Sequence, residues 1–120
     1  MGGVVSRQIL AVRVDGDEVC VLAREVTDDG VRVEYIHHVL HTSFVSIKRI
    51  ELKGRRLRVF ERRLEFTALE SEVYVTNHVY VDKILSDEEA KYIYDNLTTF
   101  LQYPGDFAYL FNRFTSEKTG

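Results

Sequence analysis

The sequence predicts an α+β chain: a strongly bent antiparallel β-sheet or partly open barrel of six to seven strands, packed by one C-terminal amphipathic helix, with a short second helix behind it. Three observations carry this. Apolar residues alternate with period two through the first two-thirds of the chain, short turns containing Gly and Asp divide those runs, and at Ser86 the period changes to 3.6.

Ser6 to Val14 alternates, with Ile9, Ala11 and Arg13 on one face and Leu10, Val12 and Val14 on the other. Asp15-Gly16-Asp17 turns the chain, because glycine tolerates positive φ, and Val19 to Val26 returns. After the turn Thr27-Asp28-Asp29-Gly30, a third strand begins with Val31, Val33 and Tyr35, and Arg32 and Glu34 face the other way. Two tight turns in succession make an antiparallel meander the natural pairing. Phe44 to Leu52 is the fourth strand, with Val45, Ile47 and Arg49 opposite Phe44, Ser46, Lys48 and Ile50. Lys53-Gly54 leads into the fifth, Arg56 to Phe60. Glu61-Arg62-Arg63 then reads as a loop before a sixth, Leu64 to Leu69. Val73 to Val81 carries the clearest alternation: Val73, Val75, Val79 and Val81 against Tyr74, Thr76, His78 and Tyr80. One of those two faces is expected to lie under the helix.

That helix starts at a capping box, Ser86-Asp87-Glu88-Glu89, whose acids also suit the positive end of the helix dipole. Ala90, Ile93, Tyr94, Leu97, Phe100 and Leu101 form its apolar stripe, and Pro104-Gly105 ends it after Tyr103. Phe107, Leu110, Phe111 and Phe114 repeat at helical spacing. Residues 1–5 and 115–120 are expected to fray.

At 120 residues and 45% hydrophobic, the chain suits one domain, 1–120, with a single core. No apolar run approaches a membrane span, and Met-Gly-Gly-Val-Val-Ser-Arg lacks the pattern of a signal peptide. Gly2 with Ser6 has the spacing of a myristoylation signal, a motif easily met by chance. A lone Cys20 excludes an internal disulfide and fits a reducing, cytoplasmic setting. Eleven Arg against five Lys, with few Asn, Gln, Cys or Met, fits a thermophilic source.

Residues 48–63 hold eight cations and two acids, a charge of +6, so the remainder carries −9 to give the chain's net −3. Arg55, Arg56, Arg58, Arg62 and Arg63, with Phe60 interleaved, suit phosphate binding, since guanidinium forks meet phosphate oxygens in pairs. Tyr74 and Tyr80 would add stacking surfaces if they lie exposed beside that strand. The competing reading is a solvated face of ion pairs. His37, His38 and His41 would hold a metal only on a helix: on a strand His37 and His41 stand about 13 Å apart. No acid completes a His-Glu-x-x-His pattern. No phosphate loop, dinucleotide fingerprint or nucleophile elbow is present, so no catalytic residue and no cofactor is assigned.

The sequence therefore points to a non-catalytic binding module for an anionic ligand, nucleic acid and especially single strands being favoured. A protein-interaction or homodimeric assembly domain is the alternative. There the arginines would meet an acidic protein, and Phe107, Leu110, Phe111 and Phe114 would make the oligomer contact. A metal-dependent enzyme on His37, His38 and His41 is the third.

Overall fold

The computed structural model describes residues 4–67 and 72–116. Gly2, Leu69 and the tail beyond Ser116 lie outside them. Six strands, β1 (Val4–Asp15), β2 (Glu18–Thr27), β3 (Gly30–Val39), β4 (Phe44–Lys53), β5 (Arg56–Thr67) and β6 (Glu72–Ile84), pair antiparallel in sequence order. The sheet is not closed into a barrel: β1 and β6 are its two edges. Then come α1 (Asp87–Asp95), a π turn (Asn96–Phe100) and α2 (Pro104–Ser116).

Local chemistry explains most of these boundaries. Gly16 and Gly54 hold φ of 63° and 61° in their turns, as the hairpins require. Gly30 is needed for another reason: it opens β3 so close to β4 that a Cβ there would overlap the Leu52 carbonyl. Ser86 and Glu89 form the capping box of α1, each side chain accepting from the other residue's amide at 3.1 Å. Pro104 does not merely end the first helix but opens the second, where its missing N–H costs nothing. One Asp106 carboxylate oxygen reaches back to accept from the amides of Gln102 and Tyr103.

Several elements differ from the sequence-based expectation. Residues 61–63 are not a loop. They continue β5, because Glu61 is buried and hydrogen-bonded within the sheet, which leaves six strands, within the six to seven expected. α2, with 13 residues, is longer than α1, with 9. β1 already begins at Val4 and α2 continues to Ser116, so order reaches into both ends expected to fray. Bulges at Leu10 and Tyr80 shift the alternation by one residue. Ile9 thereby joins Val12 and Val14 on one face, and Val81 leaves the valine face to pack against the core.

The helices pack on one face of the sheet, here called the inner face. The core joins Leu22, Val31, Val33, Ile50, Leu52, Leu57 and Val59 to Ile93, Leu97, Leu101, Phe107, Leu110 and Phe111. Phe114 packs against its edge. Of the four C-terminal apolar residues expected at an oligomer contact, Phe107, Leu110 and Phe111 are buried in this core because α2 folds back on the sheet, and Phe114 is half-buried. A buried Arg24 ties the layers together, its Nη1 donating to the carbonyls of Leu97 at 3.0 Å and Leu101 at 2.8 Å and its Nη2 to Gln8 at 3.1 Å. Gly30→Ala should unfold at markedly lower urea concentration, losing on the order of 3 kcal/mol, because backbone cannot give way as a side chain does. An unchanged midpoint would show that β3 and β4 can separate there.

Candidate functional site: an open apolar face and a polar groove

Cross-strand partners share a face, so the register resolves each face into rows running from β1 to β6. Nearest the packed helices, the inner rows are Ser6-Val26-Val31-Leu52-Leu57-Lys83 and Gln8-Arg24-Val33-Ile50-Val59-Val81. The next two inner rows turn polar: Ala11-Leu22-Tyr35-Lys48-Glu61-His78, then Arg13-Cys20-His37-Ser46-Arg63-Thr76.

The outer face runs in the opposite sense. Behind the core lies Arg7-Glu25-Arg32-Glu51-Arg58-Asp82, one charge per strand with the sign alternating across all six. Beside it lies Ile9-Ala23-Glu34-Arg49-Phe60-Val79, and behind the polar inner rows come Val12-Val21-Ile36-Ile47-Arg62-Asn77 and Val14-Val19-His38-Val45-Leu64-Val75. The sheet thus reverses its polarity halfway along the strands. Among the described residues nothing covers the apolar outer rows: Val12, Val14 and Val75 are 62%, 65% and 53% exposed.

The charged row is an ion-pair ladder. Glu25 is 2.9 Å from Arg7 and 2.7 Å from Arg32, and Arg58 stands 3.8 Å from Glu51 and 3.7 Å from Asp82. Arg56 adds a two-pronged contact to Asp82 at 2.9 and 2.8 Å, which lowers the pKa of that carboxyl. Arg49 bonds Glu34 at 2.8 Å. Phe60 lies between Arg49 and Arg58, whose guanidinium carbons are 5.2 and 5.1 Å from its ring centroid. It is only 7% exposed.

The residues expected to form one anion-binding surface are therefore divided. Arg56, Arg58 and Arg62 share the outer face, as the alternation indicates, but Phe60 between them is buried and presents no stacking surface. Arg62 donates to Asn77 at 2.9 Å, and Arg55 sits in a turn 3.9 Å from Asp87. Arg63, Tyr74 and Tyr80 lie on the inner side, away from the other arginines. Tyr74 and Tyr80 are 48% and 39% exposed, and the valine side of β6 is open too, so neither face of this strand is covered over 72–80. The acids that answer Arg56 and Arg58 on the outer face come from β4 and β6, and only the register brings them alongside.

The three neighbouring histidines separate as well. His37 faces inward, 2.9 Å from Glu18; His38 faces outward and bonds the Phe44 carbonyl; His41 sits in the turn, 3.4 Å from Asp17. Strand alternation sends them apart, and no group of three metal-ligating side chains occurs among the described residues.

The polar inner rows form a groove of about 440 Å³, lined by Arg13, Tyr35, Lys48, Glu61 and Arg63 among others. Sequence reasoning missed it, since its residues come from five strands. At its floor Glu61, 7% exposed, accepts from Tyr80 at 2.9 Å, Ser46 at 3.0 Å and Arg63 at 3.3 Å. Burial pushes its carboxyl up, but these hydrogen bonds outweigh burial and hold it below its ordinary 4.5. Burial, then the bond to Glu61, raises the Tyr80 phenol.

Compared with protein-family models, with curated proteins and with solved structures, the chain matches none.

A depressed carboxyl pKa stabilises the fold fully above the unfolded value and loses that contribution as pH falls through the folded one. Glu61→Gln should therefore cost about 1–3 kcal/mol at neutral pH, and the difference from the parent should shrink as pH drops below about 4.5. Equal losses at pH 7 and in strong acid, measured by urea denaturation, would show that the charge of Glu61 contributes nothing.

Proposed function

We propose that the protein is a non-catalytic assembly domain that pairs with a second copy of itself through the open outer face of its sheet. The polarity reversal carries this reading. A sheet needs apolar residues where it is covered, and here the half without helices carries its apolar rows on the other side.

Area and charge favour a second copy as the occupant. The chain exposes 7732 Å², about 1000 Å² more than expected of a compact protein of 14.0 kDa. Its radius of gyration is 15.4 Å, where a compact chain of this length has about 13.6 Å. One side of a standard interface covers about 800 Å², so one partner would account for the excess. The ladder is also complementary to itself. A two-fold axis along the strands, between β3 and β4, lays β1 over β6, β2 over β5 and β3 over β4. Arg7 then meets Asp82, Glu25 meets Arg58, and Arg32 meets Glu51. The same axis sets Val14 against Val75, Val19 against Leu64 and Ile36 against Ile47. The twist of the sheets would loosen these contacts toward the edges, where charges remain hydrated.

Sedimentation equilibrium tests this. The parent should weigh twice 14.0 kDa. Ile36→Lys and Val12→Lys, which place a charge on the half-buried and the exposed part of the face, should yield monomers that melt cooperatively. A parent that stays monomeric at sub-millimolar concentration overturns the proposal. So does a dimer that both variants leave intact. Tight, salt-sensitive capture of single-stranded oligonucleotide by a monomer, lost on Arg62→Glu, would replace it with nucleic-acid binding.

A further inference from the structure

The inner groove holds two cations, Arg13 and Lys48, that lack a carboxylate within ion-pair distance among the described residues. A second hollow, of about 340 Å³, opens between the sheet and α2 and shares Arg13, Tyr35 and Lys48 with the groove. These three side chains therefore line the passage between the hollows. Tyr35 and Lys48 are cross-strand neighbours, and Arg13 and Cys20 flank the Tyr35 hydroxyl. The Lys48 ammonium stands 5.3 Å from the centre of the Phe111 ring.

Most arginines of this sheet are answered. Arg7, Arg32, Arg49, Arg56, Arg58 and Arg63 each have a carboxylate within ion-pair distance. Arg13 bonds the Tyr35 hydroxyl and Lys48 lies over the Phe111 ring, but among the described residues neither has a carboxylate at that distance. The acids in the groove are mostly engaged: Glu61 by its three donors and Glu18 by His37. Asp15 stands exposed on the hairpin at the rim.

We infer that Arg13, Tyr35 and Lys48 form a binding site for a small phosphate monoester. Its phosphate would sit in the passage and its organic part in the hollow walled by Phe107, Ala108 and Phe111. Two cations and a hydroxyl match a group that carries about −1.5 to −2 charge and three acceptor oxygens. A carboxylate, with one charge, would leave one cation unanswered. The guanidinium fork grips two oxygens while the ammonium acts as a point charge. The inference is independent of dimerisation, since the groove lies on the opposite face from the apolar rows.

Phenyl phosphate is the probe, with benzoate and inorganic phosphate alongside, followed by amide and side-chain NMR shifts and by calorimetry at constant ionic strength. Phenyl phosphate should shift Arg13, Tyr35, Lys48 and Ala108 selectively and bind roughly tenfold tighter than benzoate. Inorganic phosphate should shift the first three and spare Ala108. Arg13→Gln and Lys48→Gln should each weaken phenyl phosphate about tenfold, while Lys53→Gln, remote on the outer face, should not. Arg13 reaches solvent, so its variant should keep the parent's dispersed spectrum. Shifts scattered over the surface, equal affinity for benzoate, or affinity unchanged in both groove variants would each overturn the inference.

Discussion

Arg24 is the contact on which the placement of the whole helical layer depends. A π turn leaves backbone carbonyls poorly served within the helix, and those of Leu97 and Leu101 point into the protein, where water cannot reach them. The guanidinium supplies donors to both. It sits in an inner row beside Val33, Ile50 and Val59, at the cost of being desolvated, which lowers its pKa. This fixes α1 and α2 over one half of the inner face. The other half is left with a groove, and its polar rows are the counterpart of that exposure.

The ladder on the outer face shows a second economy. Charge on the solvent side of an antiparallel sheet contributes little pair by pair, but six alternating positions in one row discriminate between registers. Shifting any strand by one residue would exchange its outer and inner residues and break the alternation. Phe60 adds to this by filling the space between Arg49 and Arg58, so that the arginines are held by an aromatic ring as well as by carboxylates. A guanidinium placed in this way serves the fold.

Much of the architecture was legible in local pattern. The turns at Gly16 and Gly54, the alternation of β4 and the capping box at Ser86 each depend on a few adjacent residues, and each stands where its chemistry indicates. The features that local pattern hides depend on partners remote in sequence. The bulges at Leu10 and Tyr80 leave no mark in composition, yet each reverses the sidedness of the residues after it. Glu61-Arg62-Arg63 reads as a loop until Ser46 and Tyr80 are seen to satisfy Glu61. The excess of arginine in residues 48–63 is a property of the sequence, whereas its neutralisation is a property of the sheet. A signal for the ladder did exist: residues at equal distances on either side of the tight turns pair, which aligns Glu25 with Arg32 and Glu51 with Arg58.

The order of the strands has a consequence for how the chain is made. Each strand pairs only with its neighbours in sequence, so every ladder can form as soon as the next strand leaves the ribosome, with little loop-closure entropy to overcome. The carbonyls that Arg24 requires lie 73 and 77 residues further along. Any sheet formed while β3 to β6 are being made would lack its helices and expose apolar residues on both sides. Nascent chains on one polysome would be at their most adhesive during that interval. For this protein the interval before the helices emerge is a folding hazard.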